Sequence, residues 1–260
     1  MMRGLISFVF LVTMVLCWAQ FGGAETSQEI MAIQEEITTL KESQSAIQKD
    51  IRAIKSLLDT NLAQPEQEFE EAVIRIKGAP FKGDENAKIV ILVFSDFRCS
   101  WCRGFVLETL PQIESKYIKT GKVKYVFFDY PLDSSSREIA ENAKCAGEQA
   151  KFWEMHDRLF ANQRALAPSD LIDHAEAIGL DMPRFRECIE RHKYSARIAN
   201  ELGQGRQLVV NGVPTFFLGF AEVEDKVRVV KMLFGFKGGR YEAFKDAIEE
   251  LLSSQEKQTY

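Results

Sequence analysis

The chain has 260 residues, 46% apolar and 27% charged, a balance that fits a globular protein and excludes fibrous and disordered classes. Its formal net charge is −5 at pH 7. With no basic stripe interleaved with aromatics, that argues against a nucleic-acid partner. The N-terminus reads as a secretory signal peptide over residues 1–24. Arg3 supplies the positive start, Leu5–Trp18 is almost wholly apolar, and Phe21-Gly22-Gly23-Ala24 offers small residues for a cut after Ala24. The apolar run is shorter than the ~20 residues that span a bilayer comfortably. The competing reading is an uncleaved inner-membrane anchor. Cys17 follows Leu16 rather than a small residue, so lipid modification is not expected there. Cleavage would leave Cys99, Cys102, Cys145 and Cys188, an even set suited to an oxidising compartment. A periplasmic or otherwise exported location is expected.

Residues 25–63 read as an oligomerisation helix. Ile30, Ile33, Ile37, Leu40, Gln44, Ile47, Ile51, Ile54 and Leu58 alternate by three and four, an a/d seam free of Gly and Pro. Gln44 falls at an a position, where one polar side chain can fix register. Glu36 and Asp50 at g face Lys41 and Lys55 at e, the opposite-sign pairing of a parallel coiled coil. Isoleucine at both a and d shifts preference toward three or four strands. A homotrimer is therefore the first expectation; a single amphipathic helix packed on its own domain is the alternative. Residues 64–77 form a polar linker and an outer strand near Ala72–Ile76.

The centre of the chain is Ile89–Phe97 followed by Cys99-Ser100-Trp101-Cys102. An apolar, β-branched run bounded by turn residues predicts a buried strand. Phe105, Leu107, Leu110, Ile113 and Tyr117 then recur at helical spacings, so a helix is expected to open near Cys99. A thiol at a helix N-terminus meets unsatisfied N–H groups and the positive end of the macrodipole. It ionises below the ~8.5 of a free cysteine. Cys102 lies one turn on, on the same face, so the two can close a small redox-active disulfide. Two other readings exist. One is half of a zinc site, although no second C-x-x-C accompanies it and His156, His174 and His192 are scattered. The other is a structural short disulfide.

Val123–Phe128 predicts a second core strand, which makes Lys88–Asp129 a β-α-β unit. Five helical segments follow over about 134–205, an inserted subdomain rather than a crossover. Strand character returns at Thr215–Leu218 and near Arg228–Phe234, and Tyr241–Leu252 reads as the last helix before a polar tail at 255–260. Cys145 and Cys188 both lie in the insertion. They are either a structural disulfide, worth about 3–4 kcal/mol by chain entropy, or two buried thiols. His156 lies beside Trp153 and Phe160 at helical spacing and is expected to pack rather than act as a base.

Ile89–Phe105 with its cysteine pair, Ala143–Phe160 and Asn211–Phe217 (NGVPTFF) together resemble the DsbA-like branch of the thioredoxin superfamily. The resemblance implies an α/β thioredoxin fold over 78–254 with an inserted helical subdomain, here preceded by a coiled-coil helix. It also implies thiol–disulfide exchange on exported cysteine-containing proteins through Cys99 and Cys102, without cofactor or metal, and with a membrane redox partner. The leading helix is similar in kind to those of oligomeric ScsC-, DsbC- and DsbG-like members, which implies isomerase as well as oxidase activity. The alternatives are a simple oxidase with a spacer helix and a copper-binding or holdase module. The family holds the proline matched by Pro214 in the cis form facing the cysteines, with Val213 offering its backbone to an extended client. Trp101 adds an apolar face suited to unfolded polypeptide. Two departures stand out. Val93 occupies the position six residues before Cys99 where relatives often carry a buried acid, and alternation puts Asp96 on the opposite face, which leaves proton relay to water. The Ser-Trp dipeptide lacks the histidine of the most oxidising members, so Cys99 is expected to be less acidic than theirs.

Overall fold

The computed structural model describes residues 30–54, 70–235 and 241–258; the signal-peptide segment, residues 25–29 and 55–69, and the Gly238-Gly239 turn lie outside them. The chain divides into two compact units, Met1–Glu68 and Phe69–Tyr260. In the first, residues 30–54 form one helix, α1. Its Ile30, Ile33, Ile37, Leu40, Ile47, Ile51 and Ile54 are all exposed, between 45 and 66%. Among the described residues, no helix is long and apolar enough to cross a membrane.

The second unit is built on a six-stranded sheet with the order β1-β6-β5-β3-β4-β2. Strand β3 (Ile89–Ser95) lies at its heart, every residue buried. It runs parallel to β4 (Val123–Asp129) and antiparallel to β5 (Thr215–Glu222). The edges are β1 (Ala72–Arg75) on β6 (Lys226–Phe234), and β2 (Phe81–Lys82) on β4. Alternation along β3 explains the two cores. Ile89, Ile91 and Val93 pack with Phe105, Tyr125, Phe127, Phe216 and Phe244 on one face, while Val90, Leu92 and Phe94 pack with Val126, Phe128 and Phe217 on the other. Gly219 marks a register shift between β5 and β6. A Cβ there would come within 2.0 Å of the Arg228 carbonyl oxygen, so only glycine fits the close approach.

The helix after the cysteines is not uniform. It runs as α2 (Ser100–Gly104), a π turn (Phe105–Thr109), α3 (Leu110–Ile113) and a second π turn (Glu114–Ile118). Pro111 supplies the reason: it has no N–H to give Leu107, and its ring crowds that carbonyl, so the preceding turn widens. The extra residue corrects the expected face. Leu107 turns outward at 42% exposure, while Val106 and Thr109 go in beside Phe105, Leu110, Ile113 and Tyr117.

Between β4 and β5 come α4 (Ser134–Gly147), α5 (Phe152–Ala161), α6 (Pro168–Ala177), α7 (Met182–Glu190) and α8 (Ser195–Gln207), the inserted helical subdomain. Cys145 on α4 and Cys188 on α7 are joined by a disulfide. His156 is fully buried among Phe97, Phe127, Phe152, Trp153 and Phe160, with Nδ1 2.7 Å from Asp157. The last helix, α9 (Tyr241–Gln258), covers β3 and β5 with Phe244, Ile248 and Leu251.

Candidate active site

The two cysteines stand where β3 hands over to α2. Cys99 is the N-cap of α2, in extended backbone, and its Sγ accepts from the Cys102 N–H at 3.3 Å. The sulfur thus takes the place of the oxygen that usually caps a helix. The pair is in the dithiol form: Cys99 is half-buried and Cys102 is 1% exposed.

Burial and proximity set the two thiols apart. Donation from the Cys102 thiol, helped by backbone N–H groups of Cys102 and Trp101, pulls Cys99 from 9.0 down to about 7, against burial and the nearby Asp96 charge. Burial, followed by the Cys99 sulfur, pushes Cys102 well above 9.0, with a Ser95 hydrogen bond pulling the other way. One sulfur is an accessible thiolate near neutral pH; the other keeps its proton.

The loop before β5 completes the site. The Val213–Pro214 peptide bond is cis, and the Val213 carbonyl oxygen lies 3.4 Å from Cys99 Sγ. Thr215 Oγ1 donates to the Gly212 carbonyl at 2.7 Å, and the Gly235 N–H donates to the Pro214 carbonyl at 2.9 Å, so both sides of the bend are tied. From the insertion, Gln163 donates to the carbonyls of Phe97 and Cys99 at 2.7 and 3.0 Å, fixing the turn that presents the sulfur. Trp101 projects into solvent at 59% exposure.

Asp96 is not free to shuttle protons. Its Oδ1 accepts from the Arg98 N–H and Ser136 Oγ, and its Oδ2 accepts from the Leu132 N–H, so it pins the loop. Sequence reasoning brought Cys99, Cys102, Trp101, Val213 and Pro214 to one place. Cys145 and Cys188 lie apart, within the insertion. It missed Gln163 and Ser95, for which local spacing carried no signal. Among the described residues, no three or more His, Cys, Asp or Glu side chains gather as a metal-holding group.

A family model described as thioredoxin matches residues 76–233. Among curated proteins, the chain is similar to the Na(+)/H(+) antiporter NhaA 3 of Salinispora tropica, 34% identical over 140 residues, or 53% of this chain and 21% of that protein. It therefore spans about a fifth of the length of that relative. It is also 24% identical over 161 residues to disulfide bond formation protein D of Bacillus subtilis, 58% of this chain and 70% of that one. Among solved structures, alpha-DsbA1 of Wolbachia pipientis superposes with a TM-score of 0.62 at 22% identity, covering 72% of this chain and 97% of that one. BdbD of Bacillus subtilis gives a TM-score of 0.60 at 21% identity, covering 68% and 95%. The family model spans more than half of the chain and the superpositions cover about 70% of it: the chain belongs to the thioredoxin family, with the fold of the DsbA-like structures it superposes on.

Proposed function

We propose that this chain is an exported thiol–disulfide oxidoreductase acting on cysteine-containing secreted proteins, with Cys99 as nucleophile and Cys102 as resolving thiol. The observation that carries the reading is the half-exposed Cys99 sulfur capping α2, 3.4 Å from the carbonyl that precedes a cis proline. In the oxidising direction, a client thiolate attacks Cys99 of the Cys99–Cys102 disulfide and displaces Cys102. The client's second thiolate then releases Cys99, so the client gains a disulfide and the pair becomes a dithiol. A membrane redox partner reoxidises the pair. Val213 offers its backbone to an extended client segment, and Trp101 adds apolar contact.

Residues 25–63 assemble copies of the chain, with a trimer as the first expectation, and residues 1–24 direct export. Several tethered sites raise the effective concentration that one misfolded client meets, which suits shuffling of wrong disulfides as well as formation of new ones. The relative named for disulfide bond formation supports the oxidase direction.

A Cys102→Ser variant is expected to accumulate mixed disulfides with client proteins, visible on non-reducing gels and reversed by dithiothreitol. No trapped species, together with tight Cu(I) binding by the wild type, would favour a soft-metal module. Refolding of scrambled ribonuclease by the full chain, beside a chain beginning at Gln64, tests the oligomer. Equal isomerase activity in the two would reduce the helix to a spacer.

A further inference from the structure

The cis-proline loop supplies one wall beside Cys99. The helical insertion supplies another, and it is of a different kind. A cavity of about 440 Å³ lies there, lined by Arg103 of α2 and by residues 161–165 at the end of α5 and just after it. This cavity is built onto the Cys99 backbone. The Arg103 N–H donates to the Cys99 carbonyl at 3.0 Å, and Gln163 Nε2 donates to the same oxygen at 3.0 Å.

Two guanidinium groups of the cavity are uncommitted. Arg103 Nε donates to the Phe160 carbonyl at 3.1 Å, which anchors the side chain and leaves Nη1 and Nη2 without an acidic partner among the described residues. Arg164 is exposed, and its guanidinium has no ion-pair or hydrogen-bond partner among them. The neighbouring arginines differ. Arg98, in the turn that carries Cys99, is held by Asp133 at 2.7 Å, and Arg158 on α5 donates to His174 Nδ1 at 3.0 Å. The chain as a whole carries −5, so Arg103 and Arg164 make a local cationic site on an acidic molecule. A planar guanidinium offers its N–H groups in a rigid fork that a carboxylate matches with both oxygens. Anchoring Arg103 through Nε in advance lowers the entropy lost when such a pair forms.

The distances suit a client. In a mixed disulfide the client cysteine is fixed to Cys99, and a residue two positions along an extended segment lies about 7 Å from that cysteine. Arg103 follows Cys99 by four residues of helix, a rise of about 6 Å. We propose that Arg103 and Arg164 select client segments with an acidic residue within two positions of the reacting cysteine, by seating its carboxylate in this cavity. They are specificity-determining residues, in an assignment that rests on the exchange chemistry proposed above and names the client class for it. A client with lysines at those positions meets two like charges and is disfavoured.

The test uses the oxidised full-length protein and three reduced peptides, which carry glutamate, glutamine or lysine two positions to each side of a single cysteine. One peptide thiolate attacks Cys99 and displaces Cys102; a second attacks the peptide sulfur and displaces Cys99, leaving a peptide disulfide and the protein dithiol. Loss of the Cys99–Cys102 disulfide is followed by acid quench, alkylation and mass spectrometry. Each rate is divided by that of the same peptide with a small uncharged disulfide, which removes differences in thiol acidity. At low salt the glutamate peptide is expected to react about fivefold faster than the glutamine peptide, and the lysine peptide slower by a similar factor, the upper range for an exposed ion pair. At 1 M salt, where the screening length is about 3 Å, the preference should fall toward one. Arg103→Glu combined with Arg164→Glu should reverse the order. Equal corrected rates for the three peptides in the wild type, or an unchanged preference in the double variant, overturns the assignment. Should the double variant not fold, Arg164→Glu alone decides, since it breaks no side-chain contact: it should at least halve the preference, and a full preference overturns the assignment. Failure of the wild type to react with any peptide would sink the exchange reading instead.

Discussion

Replacing Cys102 by alanine tests what makes Cys99 acidic. The largest influence lowering the Cys99 pKa is donation from the Cys102 thiol; burial and Asp96 push it up, and the remaining help comes from backbone N–H groups. With the pKa at about 7, about half of Cys99 is thiolate at neutral pH. Alanine removes the thiol donor but leaves the Cys102 N–H, 3.3 Å away, in place. A return toward 9.0 would cut the thiolate fraction to about 1%, a loss of about 50-fold. A more basic thiolate is also a better nucleophile, with a Brønsted slope of about 0.4–0.5, which gives back about sixfold to tenfold. The alkylation rate at neutral pH should therefore fall only about fivefold to tenfold, and the pH midpoint is the cleaner readout. Iodoacetamide alkylation followed by mass spectrometry from pH 5 to 10 should show the midpoint rising by at least about one unit. An unchanged midpoint would mean that the helix N-terminus alone sets the acidity, and the thiol–thiolate account would be wrong.

Removing the second disulfide with Cys145→Ala and Cys188→Ala opens a loop spanning 43 positions. The chain-entropy relation makes that worth about 4 kcal/mol, or about 2 M in the urea midpoint, and a shift below about 0.5 M would contradict it. Aspartate at Ile33 and Ile47 puts charge into the exposed seam of α1; sedimentation is expected to find an oligomer for the wild type and a monomer for the variant, and a monomeric wild type would overturn the coiled-coil reading. His156 is held neutral by burial, its pKa depressed below 6.5. The unfolded chain binds a proton there as pH falls through about 6.5 while the folded chain does not, so stability is lost on the acid side. In His156→Phe, the fall in melting temperature between pH 7 and 5 should be shallower than in the wild type; an identical slope would clear His156 of the effect.

Local signals made the cysteine-bearing end of the fold readable. The unbroken apolar run of β3, the polar turn, and cysteines at helix-opening spacing are short-range features, and NGVPTFF placed the cis proline by likeness to a family. What escaped were features that depend on distant partners or on one awkward residue. Asp129, Lys144 and Glu201 come from β4, α4 and α8 and meet only in three dimensions. Two-residue β2 is too short to carry a period. Pro111 was visible in the sequence, but its effect, a widened turn that expels Leu107 and buries Thr109, depends on how the helix accommodates it. The bond between Cys145 and Cys188 stayed open because spacing along a chain says nothing of Cα separation, which is 5.9 Å here.

The helical insertion also sets an order of assembly. Cys99 and the carbonyl beside it lie 114 positions apart, whereas Cys145 and Cys188 are separated by 43. Closing the longer loop costs about 0.9 kcal/mol more, and its far end emerges later from a chain made N-terminus first. In a maturing molecule the segments that carry Cys145 and Cys188 therefore meet at lower entropic cost, and earlier, than Cys99 meets the carbonyl beside it, the wall that on the proposed function would steer a client.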